Sequence, residues 1–155
     1  MNAYIVGGVR TATAKFGGAL ASFSAVDLGS MVIKELLGRT AIKADEVDEV
    51  IMGNVIQAGL GQNPARQASV RGGLPHAVPA FTVNKVCGSG LKTVALAGQA
   101  IAAGEANMII AGGMEHMSNA PYFLKTARWG QRLGDGVLHD AMITDALWDN
   151  FYDYH

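Results

Sequence analysis

The chain has 155 residues, half of them apolar, with 12 basic and 13 acidic side chains and a net charge of −1. That length and composition suit one globular domain with its own core, and a near-neutral charge without a basic run excludes an electrostatic basis for binding nucleic acid or an anionic membrane surface. No signal-peptide pattern opens the chain and no apolar run reads as a membrane span, so a cytoplasmic location is expected.

Ala3 to Val6 is a short apolar run ending at Gly7-Gly8 and reads as a buried strand, being too short for a helix. Ser24 and Asp27 make a capping box, and Leu28, Met31, Val32 and Leu36 recur at helical spacing until Gly38. Glu49 to Ile56 is β-branched and apolar and predicts a second strand, followed by the glycine-rich Ala58-Gly59-Leu60-Gly61. Asn63 and Pro64 suit the N-cap and first position of a helix that Gly72-Gly73 closes. Pro75 and Pro79 lead into a third strand, Ala80 to Val86. Leu91, Val94, Ala95, Gly98, Ile101 and Ala102 then form a helical stripe up to Gly104. Its many small residues predict close packing on more than one side, and hence a central helix. Asn107 to Ala111 gives a fourth strand ending in Gly112-Gly113.

Strand and helix thus alternate as β-α-β-α-β-α-β, which predicts an α/β fold: a mostly parallel sheet with right-handed helical crossovers. In such sheets sites lie at the C-terminal strand ends, where Gly59-Gly61, Gly112-Gly113 and the single cysteine, Cys87, all fall. Cys87 sits where a strand-like run meets a helix-like run. A helix N-terminus favours thiolate, the form that attacks carbonyls, and Gly88 and Gly90 allow a sharp turn and close approach of a substrate to main-chain donors. Acyl transfer suits this geometry; the plain alternative is a cysteine serving as a small buried apolar residue. One cysteine excludes an internal disulfide, and with four histidines lacking ligand spacing no metal is expected.

After Ser118 the character changes. Lys125, Arg128 and Arg132 form a basic stretch, and Asp135, Asp140, Asp145, Asp149 and Asp153 an acidic one, read either as solvated faces or as a subunit contact. Ile143, Leu147 and Phe151 lie four apart among Trp148, Tyr152 and Tyr154, predicting an amphipathic helix in need of a partner. With no C-cap or polar tail behind that face, the chain reads as cut in the middle of a domain.

Taken together, these residues resemble the thiolase family, and within it most closely the acetyl-CoA acetyltransferases. The resemblance runs along the whole chain: Val9-Arg10-Thr11 with Lys15-Phe16-Gly17-Gly18, Val47 to Val55, Gly61 to Ala68, Asn84-Lys85-Val86-Cys87-Gly88-Ser89-Gly90-Leu91-Lys92, Ala111 to Ser118, and Tyr152-Asp153-Tyr154-His155. It implies that residues 1–118 are an incomplete thiolase N-terminal α/β domain, that residues 119–155 begin an inserted loop domain, and that the C-terminal catalytic half is absent. It also implies that the residue matching Cys87 takes an acyl group from one CoA thioester, which then condenses with a second acetyl-CoA to acetoacetyl-CoA, or the reverse. No cofactor is implied beyond CoA thioesters as substrates. The base histidine and second cysteine of such enzymes lie in a half not matched here, so this chain is expected to be inactive alone. Leu147 and His155 match positions near bound coenzyme A, and Met114, Glu115 and His116 follow a strand end where they line the site, or pack the core in the case of Met114 and Met117. Homodimers through the strand before the nucleophile, and tetramers through a loop like Pro121 to Asp135 with Arg128 and Arg132 as contacts, are further implications. Where many such proteins carry proline after Arg-Thr, this chain has Ala12-Thr13-Ala14, a looser turn.

Three other functions compete. A degradative 3-ketoacyl-CoA thiolase or another condensing enzyme shares the cysteine-bearing helix. A dinucleotide-binding module would use Gly88-Ser89-Gly90, but Thr93 occupies its third glycine position and no acid ends the next strand. A non-catalytic assembly fragment would keep only the dimer strand.

Overall fold

The computed structural model describes residues 2–155. Three parallel strands form the sheet: β1 (Glu49–Gly53) at the centre, β2 (Ala80–Val83) on one side and β3 (Ile109–Gly113) on the other. Val50 pairs with both Ala80 and Ile110, so the three strands run in step. Helix α1 (Ala25–Thr40) and helix α2 (Pro64–Arg71) pack on each other, α2 lies against β1 and β2, and α3 (Ser89–Ala103) covers the sheet.

The local signals act where they stand in the sequence. Ser24 caps α1, its hydroxyl accepting from the Asp27 N–H at 3.1 Å while Asp27 Oδ2 accepts from the Ser24 N–H at 2.9 Å. Asn63 caps α2, with Pro64 at the first helical position. Gly104, at φ 79°, ends α3 in the left-handed region. Helix α1 passes through Gly38 and ends at Thr40 instead. The core forms where these elements meet, from Ala25, Val26 and Ile33 of α1, Val50 and Met52 of β1, Ala68 of α2 and Ile110 of β3. Each fully buried Val or Ile there contributes about 1.5–3 kcal/mol.

The α/β class and the parallel crossovers are as expected, but four details differ. The segment Ala3 to Val6 forms no strand. It lines, with Ile109 and Ala111 of β3, a cavity of about 570 Å³ and makes no ladder with that strand, and Tyr4 and Ile5 are 78% and 85% exposed. Helix α3 packs on one side only among the described residues: Ser89, Thr93 and Ala97 are buried against the sheet while Leu91 is 79% exposed. Contrary to expectation, Val86–Ala103 is long and apolar enough to cross a membrane, with mean hydropathy 1.2, although here its buried residues pack against all three strands.

The amphipathic helix expected through Phe151 stops at one wide turn, Ile143–Leu147. Trp148 is extended, and Asp149 Oδ1 accepts from the N–H groups of Phe151 and Tyr152 at 2.8 and 3.0 Å. That aspartate turn competes with the helix for the same donors. Between these parts, β4 (Tyr122–Phe123) and β5 (His139–Asp140) pair antiparallel and hold out the loop carrying Arg128 and Arg132, both exposed and without an ion pair among the described residues.

Candidate active site

The C-terminal ends of β1 and β3 converge on the N-terminus of α3, and two glycines make the approach possible. A Cβ on Gly53 would lie 2.6 Å from the Ser89 carbonyl carbon and 2.7 Å from the Gly90 nitrogen; one on Gly113 would lie 3.2 Å from Gly90 Cα. At Gly53 only glycine fits against backbone so close, and at Gly113 a Cβ would make the Gly90 backbone give by a few tenths of an ångström. The buried Thr93 hydroxyl, donating within reach of Gly90 O (2.7 Å) and Gly112 O (2.9 Å), fastens α3 to β3. It thereby takes a packing role at the position where a dinucleotide motif carries glycine.

The turn before α3 is strained and tightly held. Val86 adopts φ 47°, a conformation that costs a β-branched residue about 1–3 kcal/mol. Three bonds hold it there: the Lys85 N–H donates to Ser89 Oγ (2.9 Å), the Ser89 hydroxyl donates to Val86 O (2.5 Å), and the Val86 N–H donates to Asn84 Oδ1 (2.9 Å). Cys87 follows directly, exposed, one residue before the Gly88 N-cap of α3. It opens into a cleft of about 420 Å³ that Val55, Gly90, Met114, Glu115 and Leu147 also line. The apolar-packing alternative for Cys87 therefore fails, because its thiol faces this cleft and not the core.

Of the residues singled out from sequence, Cys87, Leu147, Met114 and Glu115 come together in the cleft. Met114 does double duty, being buried against the core as well, and Met117 also lines the cleft. His116 points elsewhere, its Nε2 bonded to Leu20 O at 2.8 Å. His155 lies outside the cleft lining, stacked on Trp148 with ring centroids 6.1 Å apart. None of the four histidines lines the cleft, and no group of three or more His, Cys, Asp or Glu among the described residues is placed to hold a metal.

Sequence reading missed Ser89 as the lock of the turn, and it missed the end of β1. The strand stops at Gly53, three residues short of the expected Ile56, because Asn54, Val55 and Ile56 turn toward Glu115. The apolar pattern continues through this turn, so only the tertiary partner marks it.

The family described as thiolase, N-terminal domain, matches residues 3–155. The chain belongs to the thiolase N-terminal domain family. This thiolase domain is 60% identical over 155 residues to the acetyl-CoA acetyltransferase of Escherichia coli strain K12 and 54% identical over 154 residues to that of Allochromatium vinosum. Each comparison covers 99% of this chain and 39% of the relative, so the chain spans about two fifths of the length of these proteins. Among solved structures, the thiolase domain superimposes with a TM-score of 0.91 on the Acat5 thiolase of Ascaris suum, solved in complex with coenzyme A, at 42% identity over 97% of this chain and 39% of that one.

Proposed function

We propose that Cys87 is the acyl-accepting nucleophile of an acetyl-CoA acetyltransferase and that this chain supplies the nucleophile-bearing part of that enzyme. The observation that carries the reading is the placement of the exposed thiol at the N-terminus of α3, on a strained turn, facing a cleft. The Cys87 thiolate attacks the thioester carbonyl of acetyl-CoA, forming an S–C bond; the C–S bond to coenzyme A then breaks and the coenzyme leaves as thiolate to be protonated. Splitting the transfer this way replaces one difficult step by two easier ones. In condensation the acetyl carbon of a second acetyl-CoA gives up a proton to a base and bonds the acyl carbon while the Cys87 S–C bond breaks and the thiolate is regenerated. In reverse, the thiolate of coenzyme A takes the acyl group from Cys87 in the same way. The relatives' names support the acetyl group as cargo. Because no histidine lines the cleft, this chain by itself is expected to acylate slowly and not to condense.

The test is an intact-mass spectrum after exposure to acetyl-CoA prolonged enough to register slow acylation, followed by peptide mapping. An acetyl-sized increase confined to Cys87 and abolished in Cys87→Ser is expected. An adduct that survives in Cys87→Ser, or no adduct at all, would sink the assignment.

A second reading, a thiolase acting on longer acyl chains, is favoured by a relative from Staphylococcus epidermidis strain RP62A, named a probable acetyl-CoA acyltransferase and 53% identical over 146 residues. Preference for longer acyl-CoA in the same acylation experiment would select it. The open edge of β2 supports a homodimer through that strand, and the exposed Arg128 and Arg132 support a further subunit contact through their loop.

A further inference from the structure

Beyond Gly53 and Gly113 the two strands stop pairing, and one carboxylate bridges the gap they leave. Glu115 Oε1 accepts from Asn54 Nδ2 at 2.9 Å and from the Ile56 N–H at 3.1 Å, and Glu115 Oε2 accepts from the Val55 N–H at 2.9 Å. The Asn54 amide also donates to Met114 O at 3.0 Å, and the Met114 N–H donates to Gly53 O at 2.9 Å. Two successive backbone N–H groups aimed at one anion form a nest, and bonds to a charged acceptor are about twice as strong as neutral ones. Asn54 is fully buried, and its Oδ1 has no partner among the described residues. Its orientation is therefore set entirely through the Nδ2 bonds to Glu115 and Met114. Both ends of the clamp, Val55 and Glu115, line the cleft that holds Cys87.

We propose that Glu115 is a positioning residue whose carboxylate holds the Asn54–Ile56 turn at the spacing that admits a thin thioester arm to Cys87. The choice of occupant rests on the acyl-transfer reading; the clamp itself rests on the hydrogen bonds. A carboxylate suits this task because it offers only acceptors to three converging donors. The isosteric Glu115→Gln turns an NH₂ group toward some of them and spreads the turn without changing side-chain volume. Cys87 stands between a turn fixed by Ser89 and a helix start fixed by Thr93, with no hydrogen bond among the described residues from the clamp to either, so its intrinsic reactivity is separable from access.

The experiment compares two alkylating probes of Cys87, iodoacetamide and a chloroacetyl amide of pantetheine, in the wild type and in Glu115→Gln. Iodoacetamide is expected to react within about twofold of the wild-type rate and the pantetheine probe at least about tenfold more slowly, because displacement of a wall by an ångström penalises the long, oriented reagent selectively. Unchanged rates for both probes, or a parallel fall in both, would overturn the proposal, the latter marking a merely structural role. Should Glu115→Gln fail to fold, amide exchange in the wild type decides. Protection of the Val55 and Ile56 amides by at least about a hundredfold supports the clamp, and exchange at free-chain rates overturns it. Failure of the wild type to take an acetyl group from acetyl-CoA would remove the acyl-transfer reading alone, since neither alkylation nor exchange depends on it.

Discussion

Gly53 shows how much of the site hangs on a single missing Cβ. Its neighbours at 2.6–2.8 Å are the backbone and Cβ of Ser89 and the nitrogen of Gly90, which have no freedom to swing aside. Gly53→Ala is therefore expected to destabilise the chain by about 1–3 kcal/mol, as overpacking does, and to push the α3 N-terminus off the strand end. Thermal unfolding checks the first part, and a slower acetylation of Cys87 the second. Thr93 is the complementary case: its hydroxyl fills a buried polar site between Gly90 O and Gly112 O, and Thr93→Val should cost about 1–3 kcal/mol by leaving a buried carbonyl short of its donor. Denaturant midpoints at constant slope would measure it.

Acidic side chains tie elements of this chain together at their ends, in addition to the strand pairing. Asp48 accepts from the N–H groups of Asn107 and Met108 at 2.7 and 3.0 Å, joining the entries of β1 and β3 as Glu115 joins their exits. Those two donors hold the Asp48 carboxyl below its ordinary value of 3.8. In the α1 capping box, the Ser24 N–H and hydroxyl, with Arg71 adding a smaller pull, hold Asp27 below the same value against a weaker effect of burial. An acid whose folded value is lowered stabilises the fold above its unfolded value and loses that contribution as pH falls from about 3.8 through the lowered value. Asp27→Asn should accordingly lower stability at neutral pH and flatten that acid limb, read from chemical unfolding at a series of pH values. Glu49 runs the other way: burial first, and then Glu105, raise it above 4.5, so its ionisation weakens the fold as pH rises from 4.5 through the raised value.

For the molecule as a whole, the sheet is well built at its central strand and, among the described residues, unpaired at both edges. The β1 core residues Val50, Ile51 and Met52 are buried between paired strands, whereas Ala3 to Val6 lies beyond a cavity at the β3 edge. Amide exchange should therefore be at least about a hundredfold faster for residues 3–6 than for 50–52, and equal protection would show that the N-terminal segment pairs in solution. The expectation of a fourth strand was reasonable from Ala3-Tyr4-Ile5-Val6, because apolar β-formers of that length read as strand wherever they stand. Pairing depends on a neighbour within hydrogen-bonding distance, which no local pattern encodes.

Legibility of the site followed the same division. Cys87, its glycines, the Ser24 and Asn63 caps and the alternation of strands and helices were readable because each rests on interactions within a few residues: a capping hydroxyl three positions from its amide, a glycine at a forced φ, an apolar period. Met114, Glu115 and Leu147 were named from resemblance, and only the fold brings them beside Cys87, across 27 to 60 residues of chain. The early end of β1 at Gly53 was decided by a distant partner, Glu115, whereas the strained turn at Val86 and the loss of the helix beyond Leu147 rest on side-chain bonds from Asn84, Ser89 and Asp149 that an apolar period does not show. In each case a specific hydrogen bond outweighs a local preference worth only a fraction of a kilocalorie per residue. The sequence by itself determined which residues can nucleate elements and that the one thiol stands at a strand-to-helix junction; the packed structure decided which residues meet, because hydrogen-bond donors and apolar faces are satisfied in space and not along the chain.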